Sequence, residues 1–370
     1  EGCRGDGGLL LDVDEYRFMP DYEPDKQELA SRDVVSRRMT EHIKKGKGVP
    51  SPDGEHLWLD LRHLGEQHLR TKLREVYDIC MYFLGVNPIK ELVPVRPTQH
   101  YSMGGIRVNK DGHAYGLEGL WSVGESACWD MHGMNRLGGN SLAETVVAGM
   151  FCGQRMGQWA SKQLLALDTK LAAEAVDLQQ QRIDALLGGG IGQANENVDE
   201  LHDSMRETLQ NKVGIFRKGD ELEEAVNTLR QLHQRAQNIK LRSSTRGANP
   251  EVALALRLPG MIKLGLCVAK GALLRTESLG GHSREDYPER NDKEWLKRTL
   301  ARWPEDATEP DISYEPVGLL ESPPGQRGYG GAVNIPMEQS VKQYNENVRQ
   351  EWIKQGWHET ATPLGAELKE

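Results

Sequence analysis

The residues best suited to chemistry lie between Gly119 and Leu142, and the first segment of this region is GLWSVGE. Its apolar residues predict a short strand over 119–123 that ends at Gly124-Glu125. Open α/β sheets present an acidic side chain to the sugar hydroxyls of a dinucleotide at the carboxyl end of such a strand. Glu125 is therefore a candidate for holding a pair of ribose or ribityl hydroxyls.

The second segment, HGMNRLGGNSL, is a glycine-rich loop that opens a long predicted helix at Ser141. The free backbone N–H groups and the dipole at the start of a helix favour an anionic or electron-rich ligand. Arg136 in this loop carries five donors in a rigid fork, which suits a carboxylate. The alternative is a glycine-rich turn with an incidental arginine, and the length of the pattern favours the ligand-binding interpretation.

Three further segments hold side chains that could act on a ligand. Glu1 and Arg4 stand three residues apart in a glycine loop, where they form either a hydrogen-bonded pair or a solvated surface salt bridge. Arg32 beside Asp33 is either part of an exposed basic face or an anion clamp, and an arginine held this way could serve as a proton donor. His100 precedes the tight turn at 104–105, where it either faces a ligand or is structural.

Composition excludes several classes of protein. The net charge is −9 with 38% apolar residues, which argues against a nucleic-acid binder because phosphate neutralisation needs clustered basic residues. Five cysteines without a CxxC pair exclude a disulfide scaffold, make a zinc or iron–sulfur site improbable and favour a reducing compartment. No apolar run approaches the length of a membrane span, so we expect no direct membrane insertion. The GGGIG stretch at 188–192 lacks a preceding strand and a Gly-Lys-Ser/Thr ending, so it is interpreted as a helix–helix linker.

The elements that must position these residues follow from periodicity. The sequence predicts strands over 9–11 and 56–61, helices over 25–45, 66–84 and 141–161, and an extended segment around Pro94 and Pro97. From residue 162 to about 267 we expect four or five amphipathic helices forming an antiparallel bundle. The tail from Lys293 then mixes a helix, a strand over 312–317, a Pro/Gly loop and a charged helix over 337–354.

Taken together, these segments resemble the flavoprotein subunit of succinate dehydrogenase and fumarate reductase. The matching stretches occur in family order along nearly the whole chain: EGCRGDGG, ELASRDVVSR, LDLRHLG, VRPTQHYSMGGI, GLWSVGES, HGMNRLGGNSLAE, RTESLGGHSREDYPERND and PPGQRGYGG. The resemblance implies a multidomain α+β fold. Its expected parts are most of a capping domain (1–99), the returning segment of a Rossmann-like FAD-binding domain (100–165), a helical bundle domain (166–290) and a small C-terminal α+β domain (291–370).

The resemblance also implies a role for individual residues. His100 and Arg136 match ligands of the dicarboxylate, and Arg32 matches the arginine that exchanges a proton with the substrate. Glu1 and Arg4 match the relay that restores that proton, while contacts to the cofactor FAD are expected from Glu125, Asn140, Ser141 and Leu142. The implied reaction interconverts succinate and fumarate, with a hydride moving between a substrate carbon and the flavin and a proton at the adjacent carbon.

The implied partners are an iron–sulfur subunit, which would carry the metal clusters that this chain is not expected to bind, and a membrane-anchor subunit that reacts with quinone. The expected location is the cytoplasmic face of the inner membrane, or the periplasmic face if an export signal lies upstream. We also expect the family's first βαβ unit, the histidine that takes covalent FAD and the threonine before the position of Glu1 to lie outside this chain. Leu279 and Gly281 depart from the family's usual arginine and alanine, which puts a local salt bridge in doubt.

Two other interpretations stay open at this point. An L-aspartate oxidase shares the fold and most of these motifs, although the GGNSLAE and PPGQRGYGG stretches favour the dicarboxylate enzyme. Alternatively, the chain is a catalytically inert fragment whose helical domain only docks partner subunits. A flavin spectrum and a comparison of succinate with L-aspartate as substrates separate these possibilities.

Overall fold

The computed structural model describes residues 2–52, 54–163 and 168–317. The described chain divides into two compact units, one up to Arg155 and one over Met156–Val317. Helices and short sheets are mixed along the chain, as the sequence predicts. The finer division into four domains stays a prediction.

The first unit is built from short elements and the start of one long helix. In chain order these are α1 (Gly2–Gly5), β1 (Leu9–Leu11), α2 (Met19–Tyr22), α3 (Arg32–His42), β2 (Leu57–Asp60), α4 (Glu66–Thr71), α5 (Arg74–Ile79), β3 (Val93–Val95), β4 (Ile106–Arg107), β5 (Ala127–Cys128) and α6 (Asn140–Lys162). The predicted strands at 9–11 and 56–61 and the long helix from 141 are therefore present, while the opening glycine loop contains the short helix α1.

Three antiparallel strands in the order β1-β2-β3 form the main sheet of this unit. Alternation places Leu57 and Leu59 of β2 in the core, while Trp58 and Asp60 are half-buried. Helix α3 packs its buried Val34, Val35 and Met39 into the same core. The sheet and α3 thus share one apolar core, and Arg32 lies at the first position of α3.

Two predicted helices differ in extent from the structure. The helix predicted from residue 25 begins only at Arg32, because Ala30 and Ser31 are extended, with ψ of 155° and 153°. The helix predicted over 66–84 is interrupted between α4 and α5, where Leu73 leaves helical geometry with ψ of 33°. The side chain of Leu73 is nevertheless buried in the core of this unit. Apolar periodicity continues through the turn, so the sequence alone predicted one continuous helix.

The prediction of a strand over 119–123 is wrong. The segment forms no regular strand, and Trp121 pairs only through an isolated bridge to His113. The strand lies further along as β5, which pairs in parallel with β4. Gly105, with φ of +121°, allows this pairing, since a Cβ there would stand 2.4 Å from the Ser126 carbonyl oxygen.

The second unit is a bundle of four long helices followed by a hairpin. Its further elements are α7 (Thr169–Leu187), α8 (Val198–Lys212), α9 (Gly219–Arg235), α10 (Pro250–Leu274), α11 (Asp292–Trp295), β6 (Lys297–Arg302) and β7 (Asp311–Pro316). Leu201, Leu222, Leu229, Leu258 and Ile262 are fully buried where α8, α9 and α10 meet. The helical prediction is confirmed, and the glycine stretch at 188–192 links α7 to α8.

Helix α10 has the length and apolar composition of a membrane span, with a mean hydropathy of 1.7 over an 18-residue window. This differs from the expectation that no apolar run reaches such a length. Ala255, Leu258, Ile262, Leu266 and Ala269 recur along one side of the helix and lie in the core of the bundle. Packing against α8 and α9 therefore accounts for the composition of this side of α10.

The C-terminal part of the second unit contains the antiparallel pair of β6 and β7. The strand predicted over 312–317 is confirmed as β7, whereas β6 was missed because its sequence KRTLAR carries three basic residues. The helix predicted from Lys293 is reduced to the single turn α11. The predicted Pro/Gly loop and the charged helix over 337–354 lie outside the described residues.

Candidate functional site

Among the predicted site residues that the structure describes, Arg136 is the most buried, with 4% of its surface exposed. It belongs to the loop before α6, and its Nη1 donates to the carbonyl oxygen of Leu137 at 3.0 Å. Its guanidinium carbon lies 4.5 Å from the ring centroid of Tyr101. The buried Nε finds no hydrogen-bond partner among the described residues. A buried guanidinium with a spare donor suits an anionic ligand, because leaving such a donor unpaired is costly.

Arg32 and Arg136, 104 residues apart in sequence, are in direct contact. Nη2 of Arg32 donates to the backbone carbonyl oxygen of Arg136. Arg4 reaches the segment that leads into α3, where its Nη1 donates to the carbonyl oxygens of Glu28 and, at 3.2 Å, of Ala30. The structure therefore brings Arg4, Arg32 and Arg136 into one part of the first unit, while Glu1 lies outside the described residues.

A buried carboxylate on α6, Glu144, is linked to Arg136 through Tyr101. The phenol of Tyr101 donates to its Oε2 at 2.9 Å, and Nε2 of His132 donates to the same oxygen at 2.6 Å. Only 1% of the Glu144 side chain is exposed, and its Oε1 has no partner within residues 2–52, 54–163 and 168–317. Burial and the hydrogen bond to this carboxylate raise the pKa of Tyr101 to about 12. Glu144 thus connects Tyr101, below Arg136, to the HGMNR loop.

His100 and Glu125 lie on the exposed side of this region. His100 is exposed and directly precedes Tyr101 in the chain. The backbone N–H of Ser102 donates to Oε1 of Glu125 at 2.7 Å, which ties the His100 segment to the Gly124-Glu125 turn. His100, the predicted dicarboxylate ligand, and Glu125, the predicted ligand of sugar hydroxyls, therefore lie on neighbouring loops. An exposed carboxylate with one oxygen engaged retains acceptor capacity for hydroxyl donors.

The start of α6 provides the second part of a cofactor surface. Asn140 and Leu142 are exposed and Ser141 is half-buried, and backbone N–H groups in a first helical turn have no intrahelical acceptor. Gly139, with φ of +78°, has open space where a Cβ would stand, so a ligand can approach the backbone there. The N–H of Asn140 donates to the carbonyl oxygen of Leu137 at 3.4 Å. The next N–H groups of the first turn, an exposed apolar side chain and the nearby Glu125 fit the polar and aromatic parts of a dinucleotide.

Sequence reasoning missed Tyr101, His132 and Glu144 as members of the site. The buried residues of α6 are Glu144, Ala148 and Cys152, at intervals of four. An acidic residue on the inward stripe of an amphipathic helix is a signal that sequence alone contains, because buried carboxylates need partners. The identity of those partners depends on tertiary contacts and could not be derived from spacing.

The polar motif at residues 275–292 forms a buried network within the second unit. Nη1 of Arg217 donates to Nδ1 of His282 at 2.8 Å, and Nε2 of His282 donates to the carbonyl oxygen of Arg275 at 3.1 Å. Burial, together with the charge of Arg217, lowers the pKa of His282 to about 4. Arg284 donates to the carbonyl oxygens of Ala272 and Leu273 at the end of α10. Through these contacts the motif binds the C-terminal end of α10.

The FAD-binding class of the chain is supported by two family matches. Residues 1–142 match the family described as FAD binding domain, and residues 202–329 match the family described as fumarate reductase flavoprotein C-term. The first match contains Arg4, Arg32, Arg136 and the start of α6. FAD is therefore the cofactor of this class of chain.

Similar proteins agree with that class. The chain is 44% identical over 365 residues to the fumarate reductase flavoprotein subunit of Helicobacter pylori, covering 90% of this chain and 51% of the relative. It superposes on a chain of Escherichia coli quinol fumarate reductase with a TM-score of 0.80 and 33% identity, covering 90% of this chain and 58% of that chain. It also resembles Mycobacterium smegmatis Sdh1, solved in complex with UQ1, with a TM-score of 0.66, 31% identity and coverage of 85% and 51%.

The chain belongs to the family of fumarate reductase and succinate dehydrogenase flavoprotein subunits. The multidomain α+β fold and the FAD cofactor expected from the sequence are confirmed by these matches. The chain spans about half the length of the curated relatives it matches first. The roles of the individual site residues stay predictions.

Proposed function

We propose that this chain supplies the dicarboxylate-binding part of a flavoprotein subunit that interconverts succinate and fumarate. The observation that carries the proposal is the buried Arg136, whose Nε has no partner among the described residues and whose carbonyl oxygen contacts Arg32. A buried cation with a spare donor binds one carboxylate of a small dicarboxylate by a charge-assisted hydrogen bond. His100, on the adjacent loop, donates to the other carboxylate or to the same one.

Arg32 is proposed to exchange the proton of the reaction. Its contact with the Arg136 carbonyl oxygen fixes the guanidinium beside the residue that binds the carboxylate. An arginine is a weak acid in water, so its proton must be delivered with fixed geometry and then restored. Arg4, held by the carbonyl oxygens before α3, and Glu1 are proposed to restore that proton.

Glu125, Asn140, Ser141 and Leu142 are proposed to contact FAD, which supplies hydride chemistry at its flavin when bound. The carboxylate of Glu125 accepts from sugar or ribityl hydroxyls, and the first N–H groups of α6 face electron-rich atoms. Leu142 has 72% of its surface exposed and offers an apolar contact. These residues bind and orient, while Arg136 and Arg32 act on the substrate.

The proposed partners are an iron–sulfur subunit and a membrane-anchor subunit that exchanges electrons with quinone. Support comes from the similar structures, which are described as quinol fumarate reductase chains, one of them with menaquinol. The chain would then be a peripheral subunit at the cytoplasmic face of the membrane, or at the periplasmic face if it is exported. Co-purification of the flavoprotein with an iron–sulfur protein tests this assembly.

Replacing Arg136 with lysine in the flavin-loaded holoenzyme tests the proposed function. Lysine keeps the charge but loses the fork, so fumarate reduction should fall by on the order of 100-fold or more while bound flavin is retained. Arg74→Lys is the matched control, since 78% of that side chain is exposed. Full activity of Arg136→Lys would contradict the assignment of Arg136 as the carboxylate ligand.

A further inference from the structure

Glu144 is buried near the candidate substrate site, but nothing in the proposed reaction uses it directly. Its carboxylate lies on the inward stripe of α6 with 1% of the side chain exposed. A buried carboxylate carries a large desolvation cost unless hydrogen bonds to its charge compensate it. Its two observed donors are Tyr101 and His132, and both use the single oxygen Oε2.

These two donors belong to the two loops that carry the proposed dicarboxylate ligands. Tyr101 directly follows His100, and His132 lies four residues before Arg136. The rings of Tyr101 and His132 also contact each other edge to face, with centroids 5.5 Å apart. One carboxylate on a rigid helix therefore fixes both ligand-bearing loops relative to α6.

The charge of Glu144 also reaches Arg136 through Tyr101. The phenol donates to Glu144, and the face of the same ring lies 4.5 Å from the guanidinium carbon of Arg136. A hydrogen bond to an anion draws the phenol proton away from the ring and makes the ring face more negative, which strengthens its attraction for a cation. The carboxylate, the phenol and the guanidinium are therefore connected in series, through a hydrogen bond and a cation–π contact.

We propose that Glu144 is a positioning residue that holds Arg136 and His100 in register for a dicarboxylate by anchoring Tyr101 and His132. The inference rests on the proposed function of Arg136 and His100. Glu144 touches neither substrate nor cofactor in this account and acts only through its two donors. Loss of its charge loosens the ring beneath Arg136, so dicarboxylate binding weakens.

The test compares Glu144→Gln with Glu118→Gln, an exposed glutamate in the same unit, in the flavin-loaded holoenzyme. Titration with malonate, a non-reacting dicarboxylate, is followed by the change in the flavin absorbance spectrum. We expect the malonate Kd and the fumarate KM of Glu144→Gln to rise about tenfold, because a hydrogen bond to a charged group is weakened, with flavin content and the control unchanged. Wild-type affinity for malonate in Glu144→Gln overturns the inference.

Tyr101→Phe provides a second variant that keeps the ring and removes only the phenol donor. It should also raise the malonate Kd, and it keeps the inference testable if Glu144→Gln fails to fold or to hold flavin. In the double variant the two effects should be less than additive, because both remove the same hydrogen bond. An unchanged Kd in Tyr101→Phe, or additive effects in the double variant, contradicts the series from Glu144 through Tyr101 to Arg136.

Ligand binding by the unmodified enzyme distinguishes failure of the proposed function from failure of the positioning role of Glu144. If the wild-type holoenzyme binds neither malonate nor fumarate, the proposed function fails. If it binds both and Glu144→Gln binds them equally well, the proposed function stands and only the positioning role of Glu144 fails.

Discussion

At the scale of residues, the first unit brings two arginines together that have different proposed tasks. Arg136 is buried and keeps a spare donor, which suits binding of a carboxylate. Arg32 begins α3 and donates to the Arg136 carbonyl oxygen, which suits a group whose position relative to the substrate must be fixed. Substitutions at the two positions should therefore have different kinetic signatures.

Arg32→Lys should reduce turnover far more than it changes binding. Lysine is a point charge on a flexible stem and cannot reproduce the guanidinium geometry at the Arg136 carbonyl oxygen. We expect kcat for fumarate reduction to fall by on the order of 100-fold or more, a typical contribution of general acid catalysis, with KM changed only a few-fold. Steady-state kinetics of the holoenzyme measure both values, and full retention of kcat would contradict the proton-exchange role.

Much of the candidate site could be predicted from residue types and motif order. Arg32 contacts Arg136, Arg4 contacts the backbone just before α3, and Glu125 is linked to the segment of His100 through Ser102, while the roles of these residues stay predictions. The network of Glu144 could not be predicted in the same way. Its members depend on which loops α6 contacts, and no local spacing encodes that contact.

At the scale of elements, the parallel pairing of β4 and β5 should depend on Gly105. Gly105→Ala would place a Cβ 2.4 Å from the Ser126 carbonyl oxygen in a backbone with φ of +121°. We expect a loss of on the order of 2 kcal/mol in the free energy of unfolding, measured by urea denaturation. Gly104→Ala is the matched control, since its φ is +118° but a Cβ there meets nothing within 4 Å. Equal effects of the two substitutions would show that the close approach to Ser126 is unimportant.

The buried hydrogen bonds of His282 at the end of α10 should make the stability of the second unit depend on pH. The pKa of His282 is lowered from 6.5 to about 4. Between these pH values the unfolded chain binds a proton that the folded chain does not, so stability is full above about 6.5 and falls as the pH drops towards 4. By pH 4 the fall should be on the order of 3 kcal/mol, because each pKa unit of the difference between 6.5 and about 4 corresponds to about 1.4 kcal/mol.

His282→Gln tests this dependence directly. Its amide oxygen can accept from Arg217 and its amide nitrogen can donate to the Arg275 carbonyl oxygen, so both hydrogen bonds have a non-titrating replacement. Urea denaturation between pH 4 and 7 should show a flatter profile for this variant than for His202→Gln, a control on α8 outside the network. A profile as steep as that of the unmodified protein would contradict the assignment.

The elements that are best predicted from the sequence are those with strong local signals, such as apolar periodicity and capping residues. The long helices of the bundle have apolar periodicity; α7 ends at Gly188, and α8 and α10 begin after Asn197 and Asn249. The strand predicted over 119–123 failed because an apolar run cannot reveal which segment pairs with β4. The missed strand β6 is half-buried over residues 297–300 and exposed at 301–302, and its sequence KRTLAR has no apolar–polar alternation with a period of two.

At the scale of the whole molecule, the described chain has two separate apolar cores. One is formed by the three-stranded sheet with α3, and the other by the bundle of α8, α9 and α10. Each unit therefore has its own source of stability. A cavity in the bundle core should lower the stability of the second unit.

Leu258→Ala is the variant that tests this expectation. Leu258 is fully buried, so its truncation should cost about 2–5 kcal/mol of the free energy of unfolding of the second unit. Leu264→Ala on the same helix is the control, because 69% of Leu264 is exposed. Urea denaturation, monitored by hydrogen exchange of the bundle amides, measures the stability of both variants. Equal stability of the two variants would contradict the assignment of the core.

The central claim is that the site of Arg136, Arg32 and His100 acts on an unsubstituted four-carbon dicarboxylate. The most direct measurement adds succinate or L-aspartate to the flavin-loaded enzyme and follows bleaching of the flavin absorbance. The account predicts rapid bleaching by succinate, recovery on addition of fumarate and little bleaching by L-aspartate. Faster bleaching by L-aspartate would identify an aspartate oxidase instead, and bound flavin that responds to neither substrate would contradict the proposed function.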